Sequence, residues 1–174
     1  GANSKSSSLS EGESLDSLIS SLKNSDYCVR IKAARQLGEM ADERALEPLM
    51  QALKDGDEWV AIEATKALGK IGSPRAIPAL IKVLHSKEWC SEIDDLMRQG
   101  EDNDNDVQVS HLAVATVQIA QDINALRAAA ATALGKIGSS EAVAALKSVL
   151  TDGHITAPKK EALAALRNIA DYPL

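Results

Sequence analysis

A heptapeptide that recurs within the chain narrows the fold more than any other feature. Ala67–Ser73 and Ala133–Ser139 both read ALGKIGS, and Gln36–Asp42, QLGEMAD, is a relative. A recurring unit of this size cannot bury its apolar stripe alone and must stack on its own copies. Leu37-Gly38 and Leu68-Gly69 lie 31 residues apart, whereas Leu68-Gly69 and Leu134-Gly135 lie 66 apart, two periods plus four residues. A second block follows each copy: ERALEPLMQALKD from Glu43, PRAIPALIKVLHS from Pro74 and SEAVAALKSVLTD from Ser140.

Each block predicts a helix. Leu46, Leu49, Met50 and Leu53 fall at helical spacing, as do Ile77, Leu80, Ile81 and Leu84. Ser73 suits an N-cap, and Pro74 the first helical position, where its missing N–H costs nothing. Gly72 and Gly138 suit the left-handed residue that ends a helix. Gly69 and Gly135 fall inside helices, at roughly 1 kcal/mol each against alanine. That cost is tolerable where the absent side chain lets a neighbouring helix close in. The chain has no Phe and only 2% aromatic residues, so its core is Leu, Ile, Val and Ala, which suits helix-on-helix packing.

These blocks resemble HEAT repeats, in particular the short HEAT-like form named after phycobilisome lyases. The family pattern has an A helix with Leu and Pro, a turn with Asp, and a B helix that opens Val-Arg and runs through paired Ala to Leu-Gly. Asp26, Val29, Arg30, Ala33, Ala34, Leu37 and Gly38 match it in full. Asp57 and Val60 match in the second copy, where Ala61 stands for Arg; the third keeps Arg127 but has Leu126 for Val. The last copy departs, with Pro158-Lys159 for Val-Arg and Arg167 for Gly. The resemblance covers residues 14–86 and 122–170. It implies an all-α, right-handed α–α superhelix, a HEAT/armadillo-like solenoid of about four to five helix pairs. Residues 1–12 read as a tag remnant and disordered lead-in, and 13–174 as the repeat domain with an irregular acidic segment at 87–122.

Two readings of that segment stay open. In one, KEWCSEIDDLMRQ is a degenerate B helix and VSHLAVATVQIA the next A helix, so that 66 residues divide as 31 plus 35. In the other, the segment is an insertion between the A and B helices of one repeat. The close fit in length favours the first; Asp94 and Asp95, which it would place in the core, count against it. Glu88 to Asp106 holds eight acidic residues against Arg98 alone, within a chain of net charge −6, so the rest is nearly neutral. Glu101, Asp102, Asp104 and Asp106 are expected in a solvated loop.

The resemblance also implies that the B helices line the concave face. Outward positions there are Ile31, Lys32, Arg35 and Glu39; Ile62, Glu63, Lys66 and Lys70; Ala128, Ala129, Thr132 and Lys136; and Lys160, Glu161, Ala164 and Asn168. Six of these are basic and three acidic, a locally positive strip in a chain of pI about 5.1. Such a strip suits an acidic segment of a partner protein, with Ile31 and Ile62 as apolar contacts. The acidic loop is a second candidate for the same strip.

Catalytic and metal motifs are absent. Asp102, Asp104 and Asp106 alternate like the start of an EF-hand loop, but Val107 stands where its Gly belongs and Ala113 where its Glu belongs. His85, His111 and His154 form no His-Glu pair of the kind a helical-repeat metal hydroxylase uses, and read as surface or helix-end residues. Cys28 and Cys90 have no metal-ligand spacing and read as buried or half-buried thiols in a reducing compartment. Trp59 is expected in the core. No cofactor is implied. No apolar window reaches 18 residues and no apolar signal segment opens the chain, so a cytoplasmic location is expected. A protein-interaction scaffold leads the functional readings. A bilin lyase or chaperone, suggested by the repeat subtype, comes second, and nucleic-acid binding through the lysines third, with the net charge against it. Neither end carries an obvious polar capping helix, which leaves room for end-to-end self-association.

Overall fold

The computed structural model describes residues 14–86, 106–153 and 158–170. The expected lead-in and the acidic residues Glu101, Asp102 and Asp104 lie outside them, as do Asp94, Asp95, Trp89, Cys90 and His154. The described residues form eight α-helices and no strand: α1 (Leu15–Ser21), α2 (Tyr27–Met40), α3 (Leu46–Ala52), α4 (Glu58–Ile71), α5 (Ile77–Leu84), α6 (Asp106–Ile137), α7 (Ser140–Leu150) and α8 (Lys159–Ala170). No helix among them is long and apolar enough to cross a membrane.

Local chemistry sets the boundaries. The Asp26 side chain accepts from the Cys28 N–H at 2.8 Å, and Asp57 from the N–H groups of Trp59 and Val60 at 3.0 and 3.2 Å, so the turn aspartates are N-caps. Ser139 caps α7 through the Ala142 N–H at 3.1 Å. Ser73 does not cap in this way: its side chain makes no capping bond, and Pro74–Ala76 forms a 3-10 turn before α5. Gly72 and Gly138, both at φ 70°, end α4 and α6 in the left-handed conformation.

The helices pair as A and B: α1 with α2, α3 with α4, α5 with the C-terminal part of α6, and α7 with α8. Leu18, Leu49, Leu80 and Leu146 of the A helices meet Ala34, Leu37, Leu68 and Leu134 of the B helices in one fully buried core. Neighbouring B helices then touch at glycine. A Cβ on Gly38 would lie 2.8 Å from Ala67 Cα, one on Gly69 2.9 Å from Ala133 Cα, and one on Gly135 3.0 Å from Ala165 Cα. The B layer therefore runs α2, α4, α6, α8, each glycine admitting the alanine of the next repeat.

That order decides between the two readings of the middle. α4 packs directly on α6, and among the described residues no helix pair stands between them, the order expected of an insertion between the A and B helices of one repeat. The reading as a degenerate repeat, favoured by length alone, is corrected: VSHLAVATVQIA is no separate A helix but part of the 32-residue α6, and the described pairs number four. Asp106, expected in a loop, is the first residue of that helix.

Candidate functional site: the B-helix face

The strip residues divide into four groups. Lys66, Lys70, Thr132 and Lys136 line one hollow of about 420 Å³ between α4 and α6, floored by Gly69, Ala125, Ala129 and Ala133. Thr132 and Lys136 also line a second, of about 630 Å³, between α6 and α8, with Glu161, Ala164 and Asn168. The two hollows share those residues and make a trough with a floor of alanine and glycine and a rim of lysine. The small floor follows from the repeat chemistry, because side chains at these positions would hold the B helices apart.

Arg35, Glu39 and Glu63 form the second group and are spent within the stack. Arg35 Nε of α2 donates to Glu63 of α4 at 3.2 Å, Lys66 donates to the same carboxylate at 2.7 Å, and Lys70 pairs with Glu39 of α2. Burial pushes the Glu63 carboxyl up, but the hydrogen bonds from Lys66 and Arg35 outweigh it and hold the group below its ordinary range. The positive strip is thus partly neutralised where α2 meets α4, and Lys136 carries no ion pair among the described residues.

The apolar pair forms the third group and is a correction. Ile62 is 3% exposed and offers no contact to a partner, whereas Ile31 is half-buried against the core and keeps part of its surface. α4 lies between α2 and α6, and Val60 through Thr65 are all buried as a consequence. Lys32 and Lys160 make up the fourth group: both are exposed, but Lys32 lines a separate hollow beside Ser21 on the first pair, and Lys160 lines neither part of the trough.

Other expectations change too. Trp59, expected in the core, is 54% exposed at the start of α4, where Val60 beside it takes the buried position. Cys28, expected at least half-buried, is exposed in the first turn of α2. His85 follows the end of α5, its Nε2 3.2 Å from Ser148 Oγ. No group of three or more His, Cys, Asp or Glu among the described residues could hold a metal ion.

Two arginines of the repeat pattern that lie outside the strip, Arg30 and Arg127, are structural. Arg30 Nε and Nη2 both reach Asp55 at 2.9 Å, and Nη1 donates to the Asn24 and Ser25 carbonyls. Arg127, 2% exposed, donates to the Leu84 carbonyl at 2.8 Å and to Asp152 at 3.0 Å. Each ties its own A–B turn to that of the next repeat. The signal was present as an Arg-to-Asp spacing of 25, from 30 to 55 and from 127 to 152.

Comparison with known proteins agrees with this architecture. Residues 15–91 match the model for HEAT repeats, and 126–152 that for the PBS lyase HEAT-like repeat. Among solved structures, the chain is similar to one from the complex of CpcE and CpcF of phycocyanin lyase from Nostoc sp. PCC7120, with TM-score 0.61 and 22% identity over 98% of this chain and 59% of that one. It therefore spans about three-fifths of that protein's length. Human deoxyhypusine hydroxylase gives TM-score 0.40 and 16% identity over 91% of this chain and 85% of that one. An engineered protein gives 0.36 and 22% over 90% and 96%. No curated protein sequence matches.

Proposed function

We propose that this chain, a HEAT-repeat protein, is a protein-interaction scaffold whose partner lays an acidic segment along the trough between α4, α6 and α8. The observation that carries this reading is the trough itself, an alanine floor with Lys66, Lys70 and Lys136 on its rim. A helix or extended segment can approach such a floor closely, and rim lysines favour carboxylates and steer their approach. The site is shifted toward the C-terminal half relative to the full strip, because Arg35 and Glu63 already satisfy one another.

The test is binding of a partner isolated from the native source, compared between the wild-type chain and Lys70→Glu/Lys136→Glu. Affinity should fall at least tenfold, about 1.4 kcal/mol, and should weaken with added salt in the wild type. Unchanged affinity in the double variant would refute the trough as the binding site.

A second reading rests on the fold likeness to a phycocyanin lyase chain and on the matched repeat at 126–152: a subunit that handles a bilin together with its acceptor protein. Incubation with a bilin and an acceptor, followed by absorbance, separates it from a plain scaffold. Nucleic-acid binding through the same lysines is the third reading, checked with duplex DNA at low salt.

A further inference from the structure

The arginine clasp occurs at two of the three repeat junctions. At the junction between the second and third pairs, Ala61 stands where Arg30 and Arg127 stand in the B helices, and Ser86 stands where Asp55 and Asp152 stand in the turns. Both halves of the pair are replaced by small residues, at the same spacing of 25. Losing one half alone would leave a charge without its partner inside the stack, which is strongly destabilising; losing both leaves space instead.

That space is present. A hollow of about 650 Å³ lies at this junction, and Ala61, Ser86, His85, Glu58 and Leu126 are among the residues that line it. Glu58, one helical turn before Ala61, is half-buried and lines the hollow, and the Asp122 carboxyl of α6 lies near it without lining the hollow. Burial first, and then the Asp122 carboxylate, push its carboxyl above the ordinary range, and Asp122 itself accepts from Gln118 Nε2 at 3.1 Å. Lys54 and Lys82 also line the hollow, and both are exposed and free to keep their ammonium groups in water. At the other two junctions a guanidinium fills the equivalent position and donates to a carboxylate.

We propose that this hollow takes a guanidinium from outside the chain, the arginine side chain of a partner, in the position that Arg30 and Arg127 fill from within at the flanking junctions. Glu58 supplies the carboxylate within the hollow, Asp122 adds negative charge beside it, and the turn at His85 and Ser86 lines the hollow too. A planar guanidinium can give a carboxylate two parallel hydrogen bonds, which an ammonium cannot. The site lies beside the A–B turns, away from the lysine-rimmed trough, and stands or falls independently of it.

The test is titration of the full chain with agmatine, a guanidinium and an ammonium joined by a four-carbon stem, followed by amide shifts in NMR. Here n-butylurea is a neutral probe of similar shape and 1,4-diaminobutane a probe that keeps only ammonium charge; a response to 1,4-diaminobutane equal to that of agmatine would overturn the proposal. Saturable shifts should appear at Ala61, Ser86 and Leu126 with agmatine and not with butylurea. Glu58→Gln should weaken agmatine binding about fivefold or more, since it removes a charge-assisted bond. Ala61→Arg/Ser86→Asp should rebuild the internal clasp, raise the melting temperature and abolish binding. Equal response to agmatine and butylurea, shifts that do not saturate, or undiminished binding by the Glu58→Gln chain would overturn it as well. Should the double variant fail to fold, the three probes and Glu58→Gln decide it.

Discussion

The first junction, where α2 meets α4, and the second, where α4 meets α6, are built on one plan and finished differently. Both bring a B-helix glycine against the alanine of the next repeat. The first is closed by charge, with Arg30 on Asp55 and Glu63 between Arg35 and Lys66. The second has Ala61 and Ser86 in place of the arginine and the aspartate, and a half-buried Glu58 near the Asp122 carboxylate. The backbone packing of a solenoid and the polar clasps on its turns are therefore separable: the first repeats along the stack, the second need not. The irregular stretch that begins at 87 follows the turn of the junction without the clasp, so the irregularity in sequence and the gap in the clasp fall together.

If the clasp is separable, its removal where it is most buried should have the largest effect. Arg127→Ala takes a side chain that is 3% exposed from a carboxylate that is 19% exposed. The loss should be about 3–5 kcal/mol, because Asp152 and the Leu84 carbonyl are left facing a space that water fills poorly. Urea denaturation measures it. A loss below about 1 kcal/mol would mean that the third junction is held by packing alone, like the second.

The shared packing should be the next most sensitive feature. Gly69→Val places a branched side chain where a single Cβ would already lie within 3 Å of the Ala133 backbone, so α4 and α6 must separate. Overpacking of this kind costs about 3 kcal/mol. Gly56→Val is the control, since a Cβ there meets nothing within 4 Å. Equal losses in the two variants would show that the glycine matters for its backbone and not for helix contact.

What the sequence revealed follows the same division. The ALGKIGS copies, the helix ends at Gly72 and Gly138 and the close approach at Gly69 and Gly135 were legible because local periodicity and glycine chemistry act within one repeat. The site was legible only in part. Assigning outward positions on one helix at a time identified Lys66, Lys70, Thr132 and Lys136 but misplaced Ile62, which α4 loses from the surface by lying between two neighbours. Residue counts also hid the ion pairs, because Arg35 and Glu63 sit 28 positions apart and meet only once α2 and α4 are stacked. The insertion was misjudged since length cannot say which helices touch.

The two junctions should answer acid with opposite signs. Glu63 is held below its ordinary range, so its contribution is complete above the unfolded-state pKa of a glutamate and is lost as pH falls through the lower folded value. Glu58 is held above that range, so its ionised form opposes folding at neutral pH, and stability is regained as pH falls through the raised value. Glu63→Gln should therefore lower stability at pH 7 by roughly 1 kcal/mol after allowance for solvent screening, a difference that shrinks in acid. Glu58→Gln should be neutral or stabilising at pH 7, with the gain again shrinking in acid. Melting temperatures of both variants from neutral pH downward show the two trends, and a loss of stability in both at pH 7 would contradict the reading of the second junction.

The smallest effect is expected where the two repeats end their B helices. α4 stops at Gly72, at φ 70°, whereas α2 stops at Ala41, at φ 49°, the one non-glycine residue with positive φ among the described residues. An alanine in this conformation costs about 1–2 kcal/mol from its Cβ against the following carbonyl. Ala41→Gly removes that strain but adds freedom to the unfolded chain, which takes back roughly 0.4–1 kcal/mol. The net should be a stabilisation of about 0.5 kcal/mol, while Gly72→Ala should destabilise by a similar amount. A destabilised Ala41→Gly chain would mean that the Ala41 side chain supports the 3-10 turn that follows it, so that the ends of α2 and α4 differ in packing and not only in strain.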